Sequence, residues 1–205
     1  SHGFRTFHAV TSVDNGAMLE VFRDSGFEMR SRSAQGIADV RLNLSVSGNG
    51  AATIDARQRR ATVASLAPIL TPSAVSVIGV SRDPASLGRR TFDALVASQF
   101  CGRVYPVNRA MHQIGPHRCV ASVRDLPEPV DLAVIAVPAD SVSAVVDDCA
   151  ARGVKSLVII SAGFAEAGEE GQHRQAALVE KARGYGMRLV GPNCMGVLNT
   201  HPAVR

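Results

Sequence analysis

The sequence predicts an α/β protein built on a doubly wound parallel sheet and preceded by a smaller, partial α/β segment. Three observations predict it. Short apolar runs at residues 75–80, 104–107, 132–137, 157–160 and 189–190 suit strands buried on both faces. Amphipathic helical patterns lie near residues 86–98, 141–152 and 171–185, between those runs. The runs also end in turn residues such as Gly79, Asn108, Pro138, Gly163 and Gly191. Together they predict a Rossmann-like domain over about residues 69–199.

The elements follow in chain order. Phe4, Thr6, His8 and Val10 alternate with Arg5, Phe7 and Ala9, which predicts a strand. Ser12 or Asp14 is the expected cap of a helix with Met18, Leu19 and Phe22 on one face, and Gly26 is its expected stop. A strand is expected from Phe27. A second is expected where Ala38, Val40, Leu42 and Leu44 alternate with Asp39, Arg41 and Asn43. This β-α-β-β order over residues 1–45 reads as half of a domain. Residues 45–56 have the small, polar composition of a linker. A short helix is expected from Arg57 through Val63, Leu66 and Leu70, ended by Pro68 and Pro72. The division is thus 1–45, a linker and short helix over 46–68, and the main domain over 69–205.

Composition excludes several function classes. The 205 residues are 46% apolar and 20% charged, enough to bury a core and too apolar for a disordered chain. No stretch approaches the roughly 20 apolar residues of a membrane span. Ser1-His2-Gly3-Phe4 lacks the features of a signal peptide and suggests a piece of a longer protein. A net charge of +4 with 4% aromatic residues is too weak for a nucleic-acid surface and suits a small anionic ligand. Cys101, Cys119, Cys149 and Cys194 are too far apart for a zinc knuckle or a redox dithiol, so reduced thiols and a cytoplasmic location are expected. The histidines His2, His8, His112, His117, His173 and His201 show no ligand spacing, and no metal is expected. Glu166, Glu169 and Glu170 precede the 171–185 helix and suit its dipole.

The chemistry is expected at the carboxyl ends of the strands, where open α/β sheets bind ligands. The first strand runs through Gly79-Val80-Ser81-Arg82-Asp83-Pro84-Ala85-Ser86-Leu87-Gly88 into a helix. A glycine there admits a phosphate to the backbone, and the helix N-terminus offers N–H groups. Ser81 and Ser86 add hydroxyls, and Arg82, Arg89 and Arg90 add charge. The second strand ends at Tyr105-Pro106-Val107-Asn108-Arg109. Asn108 and Arg109 stand where a nicotinamide dinucleotide site carries a carboxylate, which argues against NAD. Val137-Pro138, Ser161-Ala162-Gly163 and Asn193-Cys194 end the remaining strands and complete one rim.

These motifs, with Asp125-Leu126-Pro127-Glu128-Pro129-Val130-Asp131 and Gly191-Pro192-Asn193-Cys194-Met195-Gly196, resemble the CoA-binding domain of NDP-forming acyl-CoA synthetases. That group includes the succinyl-CoA synthetase α subunit. The resemblance spans about residues 69–199. It implies that Gly79, Ser81, Arg82, Pro84, Ser86, Leu87, Gly88, Val107, Asn108, Arg109, Val137, Pro138, Ser161, Ala162, Gly163, Asn193 and Cys194 line a site for CoA or acetyl-CoA. The family's second-strand loop usually reads Val-Asn-Pro before its basic residue, whereas Arg109 follows Asn108 directly here. Asp14-Asn15-Gly16-Ala17-Met18-Leu19-Glu20-Val21-Phe22 with Ser25-Gly26-Phe27 is similar to the late helix and strand of a GNAT acetyltransferase. Joined, the two resemble GNAT-fused protein lysine acetyltransferases, which implies a ligand-sensing module inactive alone.

The alternatives are a catalytic fragment of an ADP-forming acid–CoA ligase and, less favoured, an NAD-dependent oxidoreductase domain. The phosphohistidine and ATP-grasp domains of a ligase are expected elsewhere in the same protein. His201 follows the Gly-Pro-Asn-Cys loop too closely for the phosphohistidine, and no catalytic residue is expected in this chain. A homo-oligomer is possible through exposed strand edges.

Overall fold

The computed structural model describes residues 5–44 and 48–199, and of residues 48–58 the backbone only. Phe4, His2, His201 and residues 45–47 of the expected linker lie outside the described residues. The chain divides into two compact units, Ser1–Ala64 and Ser65–Arg205.

In the first unit, β1 (Thr6–Ser12), β2 (Glu28–Ala34) and β3 (Ile37–Asn43) form an antiparallel sheet in the order β1-β3-β2. Ala38, Val40 and Leu42 are the buried face of β3, as their alternation predicts. Residues Phe7, Ala9 and Thr11 of β1 sit opposite Leu42, Val40 and Ala38. Phe7 meets Phe22 of helix α1 (Gly16–Arg23) with ring centroids 6.3 Å apart. The helix cap is neither Ser12 nor Asp14. Asn15 caps it, its side-chain oxygen accepting from the Met18 N–H at 3.1 Å. Gly26 has the left-handed φ of 82°, but the helix already ends at Arg23.

The expected linker is largely helical. Helix α2 runs Gly48–Leu70, 23 residues, where a short helix beginning at Arg57 is expected. Ala51, Ala52, Ala56 and Gln58 are good helix formers, and their summed preference outweighs the cost of Gly48 and Gly50 at the helix start. Pro68 lies inside the helix and does not end it. It sits in the last turn, where it removes one N–H, and Thr71 still donates to the Ala67 carbonyl at 2.8 Å.

The second unit carries the parallel sheet. Its strands are β4 (Ala74–Ile78), β5 (Arg103–Val107), β8 (Leu132–Ile135), β9 (Ser156–Ile159) and β10 (Arg188–Val190). Their spatial order is β10-β9-β8-β4-β5, all neighbours parallel. Every residue of β4, β8 and β9 is buried, which is why those segments read as continuous apolar runs. Helix α3 (Leu87–Ala97) packs Phe92 and Leu95 on one face, with Val75, Val77, Val134 and Val158. Helices α4 (Ala139–Ala151) and α5 (Glu169–Gly184) pack Val142, Val146, Cys149 and Leu178 on the other, with Ala133, Ile135, Leu157 and Ile159. Each fully buried Val, Leu or Ile contributes about 1.5–3 kcal/mol relative to exposure.

Strict strand–helix alternation fails once. Between β5 and β8 the chain forms a small hairpin, β6 (Gln113–Ile114) and β7 (His117–Arg118), and a single 3-10 turn at Val123–Asp125. His117 lies on this hairpin and meets Phe92 edge-on at 5.2 Å. Ser122 and Asp125 form a reciprocal capping box around the 3-10 turn. No helix among the described residues is long and apolar enough to cross a membrane.

Candidate functional site

Strand order reverses between β4 and β8, because the chain steps from β4 to β5 on one side and then returns to β8 on the other. Crevices form at such switch points because the loops leaving the two strands diverge. A cavity of about 300 Å³ lies there, lined by Gly79, Asn108, Arg109, Val137, Pro138 and Asp148 among others.

Gly79 lets the two strand ends meet beside the cavity. Its φ is +96°, and a Cβ on it would stand 2.5 Å from the Ala136 carbonyl oxygen. The backbones leaving β4 and β8 therefore touch with no side chain between them. Gly88 does the same for helix α3, since a Cβ there would collide with the Gly79 carbonyl. The helix N-terminus is thereby pressed against the strand end. Ser86 caps α3, accepting from the Arg89 N–H at 3.3 Å.

The loop polar groups are more occupied than their composition suggests. The Ser86 hydroxyl donates to the Asp83 carbonyl at 2.9 Å, and the Ser81 oxygen accepts from the Asp83 N–H at 3.0 Å. The Ser86 O–H is thus engaged within the loop, whereas Ser81 uses its acceptor side and keeps its O–H as a donor. Arg89 pairs with Asp93 one turn along α3, at 2.8 Å. Arg82, Arg90 and Arg109 are exposed, as are Pro84 and Leu87.

Asn108 has a fixed internal role. Its amide nitrogen donates to the Val80 carbonyl at 2.6 Å, and its oxygen accepts from the Ala110 N–H at 2.7 Å. It buckles the loop after β5 to the loop after β4, beside buried Val107. Helix α4 begins at Ala139 after Pro138 and has no side-chain cap, so neither Asp140 nor Ser141 serves as one. On the cavity's far wall, Asp148 accepts from Arg124 at 2.7 Å and from Ser122 at 3.3 Å.

The loops after β9 and β10 complete the rim. Ser161 is buried and donates to the Val137 carbonyl at 2.5 Å. The Asn193 N–H donates to the Ser161 carbonyl at 3.0 Å. Cys194 points back at the sheet, its Sγ 3.3 Å from the Ile159 carbonyl. Glu166, expected to complement the helix dipole, accepts through its Oε1 from the N–H groups of Gly163 at 2.5 Å and Phe164 at 3.1 Å. Those backbone bonds, with the Asn193 side chain nearby, hold its carboxyl below the usual carboxylate range. The glutamate's proximity to Gly163 is its only mark in the sequence.

Of the expected site residues, Gly79, Val107, Asn108, Arg109, Val137 and Pro138 line the switch-point cavity. Leu87, Asn193 and Cys194 border a second, larger groove of about 1150 Å³ on the α3 face of the sheet. Ser81, Arg82, Pro84, Ser86, Gly88, Ser161, Ala162 and Gly163 line neither and form the loops between. The remaining thiols are buried or remote from this rim. Burial pushes the Cys149 thiol up to about 12, with the nearby Asp148 charge adding to it. Among the described residues no cluster of His, Cys, Asp and Glu could hold a metal ion.

Comparison with known proteins matches residues 73–200 to the CoA binding domain model. The chain is 46% identical over 130 residues to the alpha subunit of an ADP-forming acetate–CoA ligase II from Pyrococcus furiosus, covering 63% of the chain and 28% of that protein. It is 38% identical over 174 residues to an ADP-forming acetate–CoA ligase II from Archaeoglobus fulgidus, covering 81% of the chain and 26% of that protein. Among solved structures it is similar to a dinucleotide-forming acetyl-coenzyme A synthetase 1 from Ca. Korarchaeum cryptofilum, in complex with phosphate and ADP. The TM-score is 0.64 at 41% identity, over 67% of this chain and 29% of that one. The chain thus spans less than a third of the length of these relatives. None of the three is an acetyltransferase.

Proposed function

The chain belongs to the CoA-binding domain family, and from that premise we propose that it is the CoA-binding module of an ADP-forming acetate– or acyl–CoA ligase. The observation that carries the reading is the cavity at the β4–β8 switch point, bordered by Gly79, where a Cβ would collide with the Ala136 backbone. In this reading the phosphates of CoA lie against the N-terminus of α3, with Arg82 and Arg109 nearby. Helix N–H groups and guanidinium groups both stabilise phosphate charge there. Pantetheine runs past Val137-Pro138 toward Ser161-Ala162-Gly163 and Asn193-Cys194, bringing the thiol end to the loop after β10. Bound CoA supplies the thiol that an acyl group is joined to. The protein's part is to hold that thiol in place, with the phosphorylating domains supplied elsewhere in the full protein.

The chain binds and orients and has no catalytic residue of its own in this reading. The GNAT-fused acetyltransferase rests on the motif from Asp14 to Phe27 and on the β-α-β-β order of the first unit. The relatives named above speak for the ligase, which therefore stands first.

Titration calorimetry with CoA, acetyl-CoA and NAD tests the reading. Heat with CoA and acetyl-CoA and none with NAD is the expected result. CoA at about 100 times its Kd should raise stability by roughly 2.7 kcal/mol. No heat with either CoA species refutes it. Lysine acetyl transfer by the chain, assayed with a peptide, would restore the acetyltransferase reading.

A further inference from the structure

Glu166 lies outside every motif that suggested the site, yet it ties together two of the loops that would carry the thiol end of CoA. Its Oε1 accepts from the N–H groups of Gly163 and Phe164, at 2.5 and 3.1 Å. The Asn193 side chain, in the loop after β10, lies near the same carboxylate and stabilises its charge. Asn193 has a φ of 51°, an arrangement a non-glycine residue adopts at some cost. Its N–H is fixed to the Ser161 carbonyl, and Ser161 in turn to the Val137 carbonyl. The chain of bonds therefore runs from the loop after β10, through the loop after β9, to the loop after β8. Arg174 of α5 completes it by donating to the Gly163 carbonyl at 3.0 Å. A side-chain oxygen at this position accepts from two backbone N–H groups at once, and its charge strengthens both bonds.

We propose that Glu166 is a positioning residue for CoA: it sets the spacing of the Gly163 and Asn193 loops at the thiol end of the site. The proposal rests on the CoA-binding reading above. Glu166 itself touches no ligand in it.

The test is CoA affinity of the full 205-residue chain, with Tm measured on the same samples. Glu166→Ala should weaken CoA binding roughly tenfold, the size of one charge-assisted hydrogen bond. Glu166→Gln should recover most of that loss, since its amide oxygen still accepts from both N–H groups. Ser73→Ala, at the opposite end of the sheet, should lower Tm with CoA affinity unchanged. That control separates positioning from loss of stability, which would move Tm alone. Unchanged affinity in Glu166→Ala overturns the proposal, as does an equal loss in Ser73→Ala. Should Glu166→Ala fail to fold, Glu166→Asp keeps the charge on a shorter arm. Weaker binding there supports the proposal, and wild-type binding overturns it. A wild-type chain that binds no CoA removes the CoA reading and this inference together, a result distinct from binding that ignores Glu166.

Discussion

At the scale of single residues, the site depends most on the absence of a side chain. Gly79→Ala would place a methyl group 2.5 Å from the Ala136 oxygen at a φ of +96°. Backbone strain alone costs about 1–3 kcal/mol in such a conformation. The variant should show a lower urea midpoint together with a loss of CoA heat. Asp131 makes a second case, at the opposite end of the strands. Burial by itself would raise its pKa, but the Ser73 hydroxyl at 2.5 Å and N–H at 2.9 Å, with Lys155 at 3.8 Å, bring it below its ordinary value. A carboxyl lowered in the folded state stabilises above its unfolded pKa, and that contribution disappears as pH falls through the folded value. Unfolding midpoints measured between about pH 5 and pH 2 should therefore fall less steeply in Asp131→Asn than in the wild type. Gly79 was legible in the sequence because a glycine ending an apolar strand has few other reasons to be there. Glu166 was not, since its partners are backbone N–H groups whose direction only the folded turn sets.

Elements were legible to the extent that burial dictated their residues. The five parallel strands announced themselves because burial on both faces leaves no polar positions to confuse the pattern. Helix α2 departs from the expected linker because Gly48, Gly50 and Thr53 look like linker when judged one by one. The cap of α1 falls at Asn15 and not at Ser12 or Asp14, since several neighbouring residues of the right type compete and backbone geometry selects among them. The cap at Ser86 tests how far one element governs the site. Ser86→Ala removes the acceptor for the Arg89 N–H and the donor to Asp83, and should cost about 0.5–2 kcal/mol. In the proposed binding mode the CoA phosphates rest on the N-terminus of α3, so CoA affinity should drop in the same variant. An equal stability loss with intact affinity would mean that the phosphates lie elsewhere.

At the scale of the whole molecule, the two units differ sharply in what holds them. Both large apolar clusters belong to residues 74–187, on the two faces of the parallel sheet. Among the described side chains of the first unit, Ala38, Val40 and Leu42 are the buried apolar residues. Three buried side chains stabilise by only a few kcal/mol, about 1.5–3 kcal/mol for each larger one, against a backbone cost of about 1–2 kcal/mol for every residue ordered. The parallel sheet with its three helices stands on the favourable side of that balance. A fragment of residues 65–205 should accordingly melt in one cooperative transition and bind CoA within about threefold of the full chain, a difference under 1 kcal/mol. Residues 1–44 alone should show no cooperative melt by circular dichroism. If instead the 65–205 fragment folds and has lost CoA, the first unit contributes to the site, and the cavity at Gly79 is not sufficient for binding. If it keeps CoA, the switch point and its glycines are enough, and whatever the first unit does is a separate activity.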